Sequence, residues 1–307
     1  MEPDRGVVED AAAGAGLTAA GMAAAGMAAA GFVAHRPMLY GLAYRLLGSS
    51  YDADDVLQEA YLRWARADRS TVAEPRRYLT RVVARLAIDH LRARQARRET
   101  YVGEWLPEPV ATDPSPFGAV DTTDLSLAVL HLMEQLTPPQ RAVYVLRTAF
   151  ELPYDEIAGI VDRTVADCRQ LHVRATRALR DRRPRFAPGR AEHRRLLGDF
   201  VAAAREGDLA RLERLLHEDV VAWSDGGGRA GVARKPIAAR ARVARFFAVI
   251  YERAAFLTAS PVELNGAPAL VLAGPKGRHV LAAEMDQGAI IRLFVVANPA
   301  KLTAVPS

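Results

Sequence analysis

Residues 154–180, "YDEIAGIVDRTVADCRQLHVRATRALR", decide the fold of the middle of the chain. A short apolar segment is followed by Asp162-Arg163 and then by a longer basic segment that Thr164 can cap. This spacing is that of a helix-turn-helix, whose second helix enters the major groove of DNA. Aspartate at 162 tolerates the left-handed backbone of such a turn better than most residues. The stretch therefore predicts a DNA-reading helix.

The residues suited to reading DNA lie at or near the N-terminal half of this second helix, with further arginines along it. Arginine can bond guanine through two N–H groups, glutamine can bond adenine, and the later arginines suit phosphates. We expect these contacts from Arg163, Thr164, Arg169, Gln170, Arg174 and Arg177. Cys168 and Leu171 are expected in the core. Other short helix pairs mimic this motif, so further evidence is needed.

A second basic helix is predicted upstream, over residues 75–98, with proline at a tolerated first-turn position. Arg77, Arg81 and Arg85 follow one another at four-residue steps, an arrangement that repels itself unless phosphates lie alongside. A solvated basic face is the usual explanation for a single run of charges. Two DNA-suited helices in one chain instead favour a nucleic-acid partner.

Between residues 51 and 64, "YDADDVLQEAYLRW" has the period of an amphipathic helix. Its apolar stripe is Leu57, Ala60, Tyr61 and Trp64. The opposite face carries Asp54, Asp55, Gln58, Glu59 and Leu62. A merely solvated face does not favour a leucine at its centre. The pattern singles out an acidic face with a leucine at its centre on a chain of positive net charge.

Composition limits the classes of function. The chain has 307 residues, a formal net charge of +5 and a single cysteine, Cys168. One cysteine excludes an intramolecular disulfide and a thiolate zinc site, and favours the cytoplasm. No cofactor or metal site is predicted. Residues 1–31 begin acidic and continue as alanine and glycine, which predicts a disordered tail rather than a signal peptide or membrane span.

The chain after residue 31 is divided by a proline-rich linker, residues 101–120. After residue 190, two helical segments and a third near 236–252 precede several short apolar runs. The runs "ALVLAG", "HVLAAEM" and "AIIRLFVVAN" are separated by turn sequences, which is typical of antiparallel strands joined by hairpins. Helices followed by such strands predict an α+β domain over residues 190–307.

Three motifs in order now carry a resemblance. "ADDVLQEAYLRW", "YLTRVVARLAIDHLR" and "LTPPQRAVYVLR" with the helix-turn-helix behind it resemble regions 2.2, 2.3–2.4 and 4 of bacterial extracytoplasmic-function (ECF) sigma factors of the sigma-70 family. "YVGEWLPEP", "DGGG" at 225–228 and "NPAKL" at 298–302 resemble the subgroup with a fused C-terminal SnoaL-like domain. The resemblance covers nearly the whole chain from Phe32 onward.

The resemblance implies a multidomain architecture. An all-α region 2 spans residues 32–100, the linker spans 101–120, and an all-α region 4 with the helix-turn-helix spans 121–187. Residues 190–307 form an α+β cone of the SnoaL-like, or nuclear transport factor 2-like, kind. The implied function is that of a sigma factor, which directs the RNA polymerase core to promoter DNA.

The family also implies a role for each surface. The acidic face would dock on the clamp helices of the largest polymerase subunit, and the second-largest-subunit flap is a further partner. Region 4 would read the −35 element with the residues named above. Region 2 would read and melt the −10 element, with contacts from Arg77, Arg81, Arg85, Asp89, His90 and Arg92.

In the fused subgroup the C-terminal domain regulates the sigma regions in cis, in place of a separate anti-sigma factor. Its contacts with the linker would come from Trp105, Leu106, Pro107, Asp225, Gly226, Gly227, Gly228, Asn298 and Pro299. The glycines are expected in a flexible loop that approaches another surface closely. Whether the pocket of this domain also holds a small ligand stays open.

Two alternatives belong to other classes. The chain could be a helix-turn-helix regulator that binds DNA without polymerase. It could also be a cyclase or isomerase with a DNA-binding appendage, using Asp225, His279 and Glu284 in a pocket lined by Trp223. We expect His279 to cap a strand or be exposed and Glu284 to face solvent, so the prediction is that the protein is not an enzyme.

Overall fold

The computed structural model describes residues 29–98, 101–112, 116–117, 125–180, 188–229, 232–252, 258–275 and 277–306. Most of the predicted disordered tail, residues 1–28, lies outside these residues. The last three residues of that tail, 29–31, are helical in a stretch that continues to Val33, so the predicted boundary at residue 31 is too late. Part of the predicted linker and the 181–187 segment also lie outside the described residues.

Three helices form the first part of the described chain: α1 Arg36–Leu47, α2 Ser50–Arg66 and α3 Pro75–Arg98. Helix α1 ends at Gly48, whose backbone is left-handed (φ 65°). The Ser49 hydroxyl accepts a hydrogen bond from the backbone N–H of Asp52 and caps α2. Leu57, Ala60 and Trp64 are buried, as the apolar stripe predicts.

Four helices follow: α4 Leu127–Met133, α5 Pro138–Thr148, α6 Tyr154–Val161 and α7 Val165–Arg180. At the start of α5 the Gln140 side chain accepts a hydrogen bond from the Thr137 N–H (3.0 Å). Asp162 ends α6 with φ 56°, and the Thr164 hydroxyl accepts from the Asp167 N–H (3.0 Å). The helix-turn-helix thus has the caps that its sequence predicts.

One continuous apolar core joins these two sets of helices, from Phe32 to Leu179. The two sets are joined because α1 and α3 both pack against α5. A buried arginine reinforces the junction. Arg141 is 1% exposed and donates to the backbone oxygen of Arg45 (2.9 Å) and to the Glu134 carboxylate (2.5 Å).

The described residues of the C-terminal part form three α-helices and six strands. The helices are α8 Arg190–Glu206, α9 Leu209–Leu215 and α10 Arg240–Glu252; the strands are β1 Leu216–Asp225, β2 Ile237–Ala238, β3 Thr258–Leu264, β4 Ala267–Gly274, β5 Gly277–Asp286 and β6 Ala289–Val296. Their order in the sheet is β2-β1-β6-β5-β4-β3. Strands β1 and β6 are parallel, and all other neighbours are antiparallel.

Each face of this sheet is covered. One face packs on α8, α9 and α10, around residues such as Phe200, Phe247 and Leu293. The other face packs on the linker and on α4, through Leu106, Leu127 and Phe294 among others. The sheet therefore holds the linker and the helix-turn-helix part of the chain against the C-terminal domain.

Candidate functional surfaces

The acidic face of α2 is open to solvent. Asp54, Asp55 and Gln58 are exposed, and Leu62 is 47% exposed. Asp54 pairs with Arg36 at 2.8 Å, and Glu59 pairs with Arg63 at 2.6 Å. Exposed pairs of this kind contribute about 0–1 kcal/mol, so a partner's arginines can replace them at little cost. Helix α2 packs on α1 and α3, and its outer face remains available for docking.

The arginine row of α3 lies along α6. Arg77, Arg81 and Arg85 are exposed, but Arg77 forms an ion pair with Glu156, and Arg85 Nη2 donates to the Gly159 carbonyl oxygen (2.7 Å). The expectation that phosphates must supply the counter-charge is therefore wrong for this conformation, because α6 supplies part of it. Further along α3, Asp89 and Arg92 pair at 3.4 Å and His90 is half-buried.

The predicted reading face of α7 is exposed. The six residues on it all reach solvent: Arg163, Thr164, Arg169, Gln170, Arg174 and Arg177. The opposite side of α7 is buried through Cys168, Ala175 and Leu179, as expected for Cys168. Leu171 is only partly buried against the core. The helix can therefore enter a groove of DNA without rearranging its own packing.

The middle of the linker is buried rather than solvated. Residues 106–110 belong to no helix or strand, and every one of them is buried. Trp105 precedes them and lies between two cations. The Arg94 guanidinium is 4.5 Å from the centre of its ring system, and Lys301 Nζ is 3.8 Å from it. These are cation–π distances, so Trp105 connects α3 to the C-terminal domain.

Asp225 anchors the linker to the C-terminal domain. Its carboxylate is fully buried; Oδ2 accepts from the Leu106 N–H (2.9 Å) and from Lys301 Nζ (2.7 Å). Oδ1 accepts from the Tyr101 hydroxyl (2.6 Å) and from the Gly227 N–H (3.1 Å). Burial lowers the pKa of Lys301 to about 8, with Asp225 opposing that effect. Burial and Asp225 both raise the pKa of Tyr101.

The glycines after Asp225 allow close approach. A Cβ on Gly226 would lie 2.7 Å from Val232 Cβ, and one on Gly227 (φ 57°) would lie 2.6 Å from Asn298 Cγ. A Cβ on Gly228 would face Val102 of the linker at 3.8 Å. Asn298 Nδ2 donates to the Tyr101 hydroxyl (3.2 Å). The loop is therefore a packed contact, as its predicted close approach requires.

A short helical turn, Pro299–Lys301, then presents Lys301 to Asp225 and to the Leu106 carbonyl oxygen (2.6 Å). The structure thus brings together the predicted Trp105, Leu106, Asp225, Gly227 and Asn298. Pro107 is buried in the same segment, and Pro299 contributes by starting the turn.

The other side of the linker is bound to α2. The Glu108 carboxylate accepts from the Ser49 hydroxyl (2.9 Å) and from the backbone N–H groups of Ser50 (2.7 Å) and Tyr51 (3.3 Å). A carboxylate is favoured at a helix N-terminus, where backbone donors are unpaired. Glu108 therefore caps the helix that carries the acidic face.

Tyr44 of α1 links the same part of the linker to the C-terminal domain. The Tyr44 hydroxyl donates to the Glu108 carbonyl oxygen (2.5 Å) and accepts from Asn265 Nδ2 (2.6 Å). Asn265 also accepts from the Val110 N–H (3.0 Å). Sequence reasoning missed Tyr44, Tyr101, Glu108, Asn265 and Lys301. The signals for two of them were present: Glu108 stands between two prolines, and Lys301 is one of three lysines in an arginine-rich chain.

The candidate catalytic residues of the C-terminal domain each contact other side chains. His279 is neither a strand cap nor exposed: it lies beside Tyr251, with Nε2 3.3 Å from the tyrosine hydroxyl, and burial lowers its pKa to about 4. Glu284 does not face solvent; its side chain is 12% exposed and pairs with Arg292. Trp223 stacks on Phe294 and touches His131 of α4.

Two features are not found among the described residues. They hold no group of three or more histidine, cysteine, aspartate or glutamate side chains arranged to bind a metal ion. Within the same residues, none of the helices combines the length and the apolar character needed to span a membrane.

Comparison with known proteins assigns the family. Residues 32–97 match the family model for Sigma-70 region 2, and residues 126–179 match that for Sigma-70, region 4. The ECF RNA polymerase sigma factor SigJ of Mycobacterium tuberculosis is 36% identical over 293 residues, covering 90% of this chain and 93% of that protein. The chain belongs to the ECF sigma factors.

One further relative and one solved structure agree. The probable ECF sigma factor SigI of Mycobacterium tuberculosis is 32% identical to this chain. The match covers 88% of this chain and 92% of SigI. The crystal structure of SigJ superposes with a TM-score of 0.75 at 34% identity, covering 89% of this chain and 97% of that one. The predicted family and the order of helical sigma regions followed by a helix-and-sheet domain are confirmed.

Function follows from the family. Like other ECF sigma factors, this sigma factor binds the RNA polymerase core and directs it to promoter DNA, as its sequence predicts. The alternative of a polymerase-independent regulator is not favoured by these relatives.

Proposed function

We propose that this sigma factor docks on the clamp helices of the largest polymerase subunit through the outer face of α2. The observation that carries this proposal is Leu62, which is 47% exposed among Asp55, Gln58 and Glu59. An exposed apolar side chain beside two carboxylates fits a basic helical surface with an apolar centre. Region 4 would in turn contact the flap of the second-largest subunit.

The two basic helices divide promoter recognition between them. Helix α3 reads and melts the −10 element with Arg77, Arg81, Arg85, Asp89, His90 and Arg92. Helix α7 reads the −35 element with its exposed face, from Arg163 to Arg177. The protein acts in the cytoplasm, where the polymerase works, and catalyses no reaction. The structural pairing of His279 with Tyr251 and of Glu284 with Arg292 supports the last statement.

The C-terminal domain regulates this activity in cis through the linker. The support is that one buried segment binds both partners: Glu108 holds it to α2, and Leu106 is held by Asp225 and Lys301. A movement of the C-terminal domain is therefore transmitted through the linker to the helix that docks on polymerase. Asn265, which bonds both Tyr44 and Val110, adds a second connection.

Transcription reconstituted with core polymerase tests the docking proposal. Replacing Leu62→Ala and Asp55→Arg together should abolish promoter-dependent transcript, because the apolar centre is lost and the charge reversed. Replacing Leu209→Ala is the matched control, since Leu209 is 42% exposed on α9 in the C-terminal domain. Equal transcript from the double variant and from wild type would reject the proposed face.

The same assay tests regulation in cis. Asp225→Asn removes the charge that binds the linker and should change the transcript yield at saturating polymerase. Asp219→Asn, at an exposed position of the same strand β1, is the control. If both variants match wild type, the linker contact does not regulate output.

A further inference from the structure

A cavity lies between the helix-turn-helix part of the chain and the C-terminal domain. Its volume is about 180 Å³, and it is bordered by the first turns of α4 and α8, the turn between β3 and β4, and strands β5 and β6. Leu127 and Ala128 belong to α4, whereas Ala282 and Phe294 belong to the sheet face that packs on α4 and the linker. The cavity therefore touches both parts of the molecule at their junction.

Most of the cavity wall is apolar. Its larger apolar side chains are Leu127, Leu264, Pro268, Met285 and Phe294. The one carboxylate among the described residues that line it, Glu284, is paired with Arg292. An apolar cavity of about 150 Å³ is large enough to bind benzene. The size and the charge of this wall therefore favour a neutral, largely apolar occupant with one or two rings.

His193 supplies a polar group to this wall. Its Nε2 is buried and has no hydrogen-bond partner among the described residues, whereas its ring bonds the backbone of Ala283. That bond therefore uses Nδ1, and Nδ1 carries the proton because a carbonyl oxygen can only accept. Burial lowers the pKa of His193 to about 4, so the ring is neutral near pH 7. Nε2 is then a buried acceptor that lacks a donor.

The geometry points to a binding site for a small, neutral, largely apolar molecule that carries one N–H or O–H group. Its apolar part fills the space between α4 and the sheet, and its N–H or O–H group donates to Nε2 of His193. Buried polar atoms in folded proteins are nearly always hydrogen-bonded, and a donor from the occupant satisfies this one.

The position of the site gives binding a consequence. An occupant contacts Leu127 and Ala128 of α4 and Phe294 of the sheet, so it stabilises the contact between the helix-turn-helix part and the C-terminal domain. The effect on transcription rests on the proposed regulation in cis, whereas the binding site itself does not.

Indole and benzofuran test the site on the full-length wild-type chain. The two molecules have nearly the same shape, but indole carries an N–H group where benzofuran has a ring oxygen. Isothermal titration calorimetry near neutral pH should show that indole binds roughly tenfold more tightly, because benzofuran leaves the buried acceptor without a donor. Equal affinities, or no binding of indole at millimolar concentration, would overturn the inference.

Two variants locate the bound indole. His193→Phe keeps an aromatic ring but removes the acceptor, so the affinity for indole should fall to that for benzofuran. Ala128→Leu narrows the cavity from α4 and should weaken the binding of both molecules. His217→Phe, at a more accessible histidine of β1, is the matched control and should bind indole like wild type. Wild-type affinity for indole in either of the first two variants would place the indole elsewhere and reject the site.

Transcription with core polymerase separates the site from the proposed regulation. Indole should change the transcript yield of wild type and leave that of His193→Phe unchanged. If indole binds at His193 but the yield of wild type stays the same, the site is correct and regulation through this contact is rejected. If indole does not bind, the site is rejected, and the test of regulation with Asp225→Asn is unaffected.

Discussion

Asp225 and Lys301 form the most buried ion pair described in this sigma factor, with side chains 0% and 6% exposed. Because the Asp225 carboxylate accepts four hydrogen bonds, removing its one cation leaves a buried charge with neutral donors only. Lys301→Met should therefore lower the free energy of unfolding by about 3–5 kcal/mol. Urea unfolding measures this change.

Two further variants, measured in the same way, show whether the loss comes from the buried charge. Lys235→Met, at an exposed lysine, should change the free energy of unfolding by less than about 0.5 kcal/mol. Adding Asp225→Asn to Lys301→Met should recover part of the loss, because the uncompensated charge is gone. A loss below about 1 kcal/mol for Lys301→Met alone would mean that the pair is not a structural anchor.

Histidine burial predicts a pH dependence of stability. Burial lowers the pKa of His279 from its ordinary 6.5 to about 4. Between these values the unfolded chain binds the proton and the folded chain does not, so stability is full above about pH 6.5 and falls as the pH drops towards 4. One such histidine contributes a slope of at most about 1.4 kcal/mol per pH unit.

Unfolding measured between pH 4 and pH 7 tests this behaviour. His279→Gln should reduce the slope of this dependence, and His193, whose pKa burial also lowers to about 4, should maintain the remainder. An identical pH profile for wild type and His279→Gln would show that another group controls acid stability.

At the scale of single elements, α7 gives a prediction about specificity. Arg169 and Arg177 are both exposed on this helix, the first near its start and the second near its end. Arg169→Ala should reduce discrimination between −35 sequences by about 1–3 kcal/mol, as expected for a lost base contact. Arg177→Ala should weaken binding to all sequences about equally, as expected for a phosphate contact.

Competition binding of the polymerase complex to a series of −35 variants measures both effects. A uniform loss of affinity for Arg169→Ala would reassign Arg169 to the phosphate backbone.

Elements with strong local signals could be predicted from the sequence. Gly48, Asp162 and Thr164 mark helix ends through backbone conformation or side-chain capping, and each does so in the structure. Strands β4 to β6 were predicted because they are apolar runs between turns. Strand β3, "TASPVEL", was missed because it is an exposed edge strand that contains a proline, so it lacks the apolar signal.

The site was harder to predict than the elements. The acidic face of α2 and the reading face of α7 each lie on one helix, so the helical period alone gives them. The linker contact joins Glu108 to Ser49 and Asp225 to Leu106, residues separated by 59 and 119 positions. No local pattern encodes such pairs. The burial of residues 106–110 was missed for the same reason, since proline-rich sequence ordinarily indicates a solvated linker.

At the scale of the whole molecule, Arg94 lies where the three parts meet. Its guanidinium contacts the Leu47 carbonyl oxygen in the first part, Glu134 in the second and the Trp105 ring of the linker. Lys301 of the C-terminal domain lies against the same ring. A movement of any one part therefore disturbs contacts made by the other two. This arrangement suits regulation without a separate protein.

The two helical parts share one core. Residues from Phe32 to Leu179 pack in a single cluster, and Glu156 of α6 pairs with Arg77 of α3 beside it. The outer face of α2 lies outside this core.

A direct affinity measurement tests whether the outer face of α2 binds polymerase. Labelled sigma factor is titrated with core polymerase at moderate and at high salt, for wild type, Leu62→Ala with Asp55→Arg, and Leu209→Ala. We expect the α2 double variant to bind at least tenfold more weakly at moderate salt and Leu209→Ala to bind like wild type. Wild-type affinity for the double variant would contradict docking through α2.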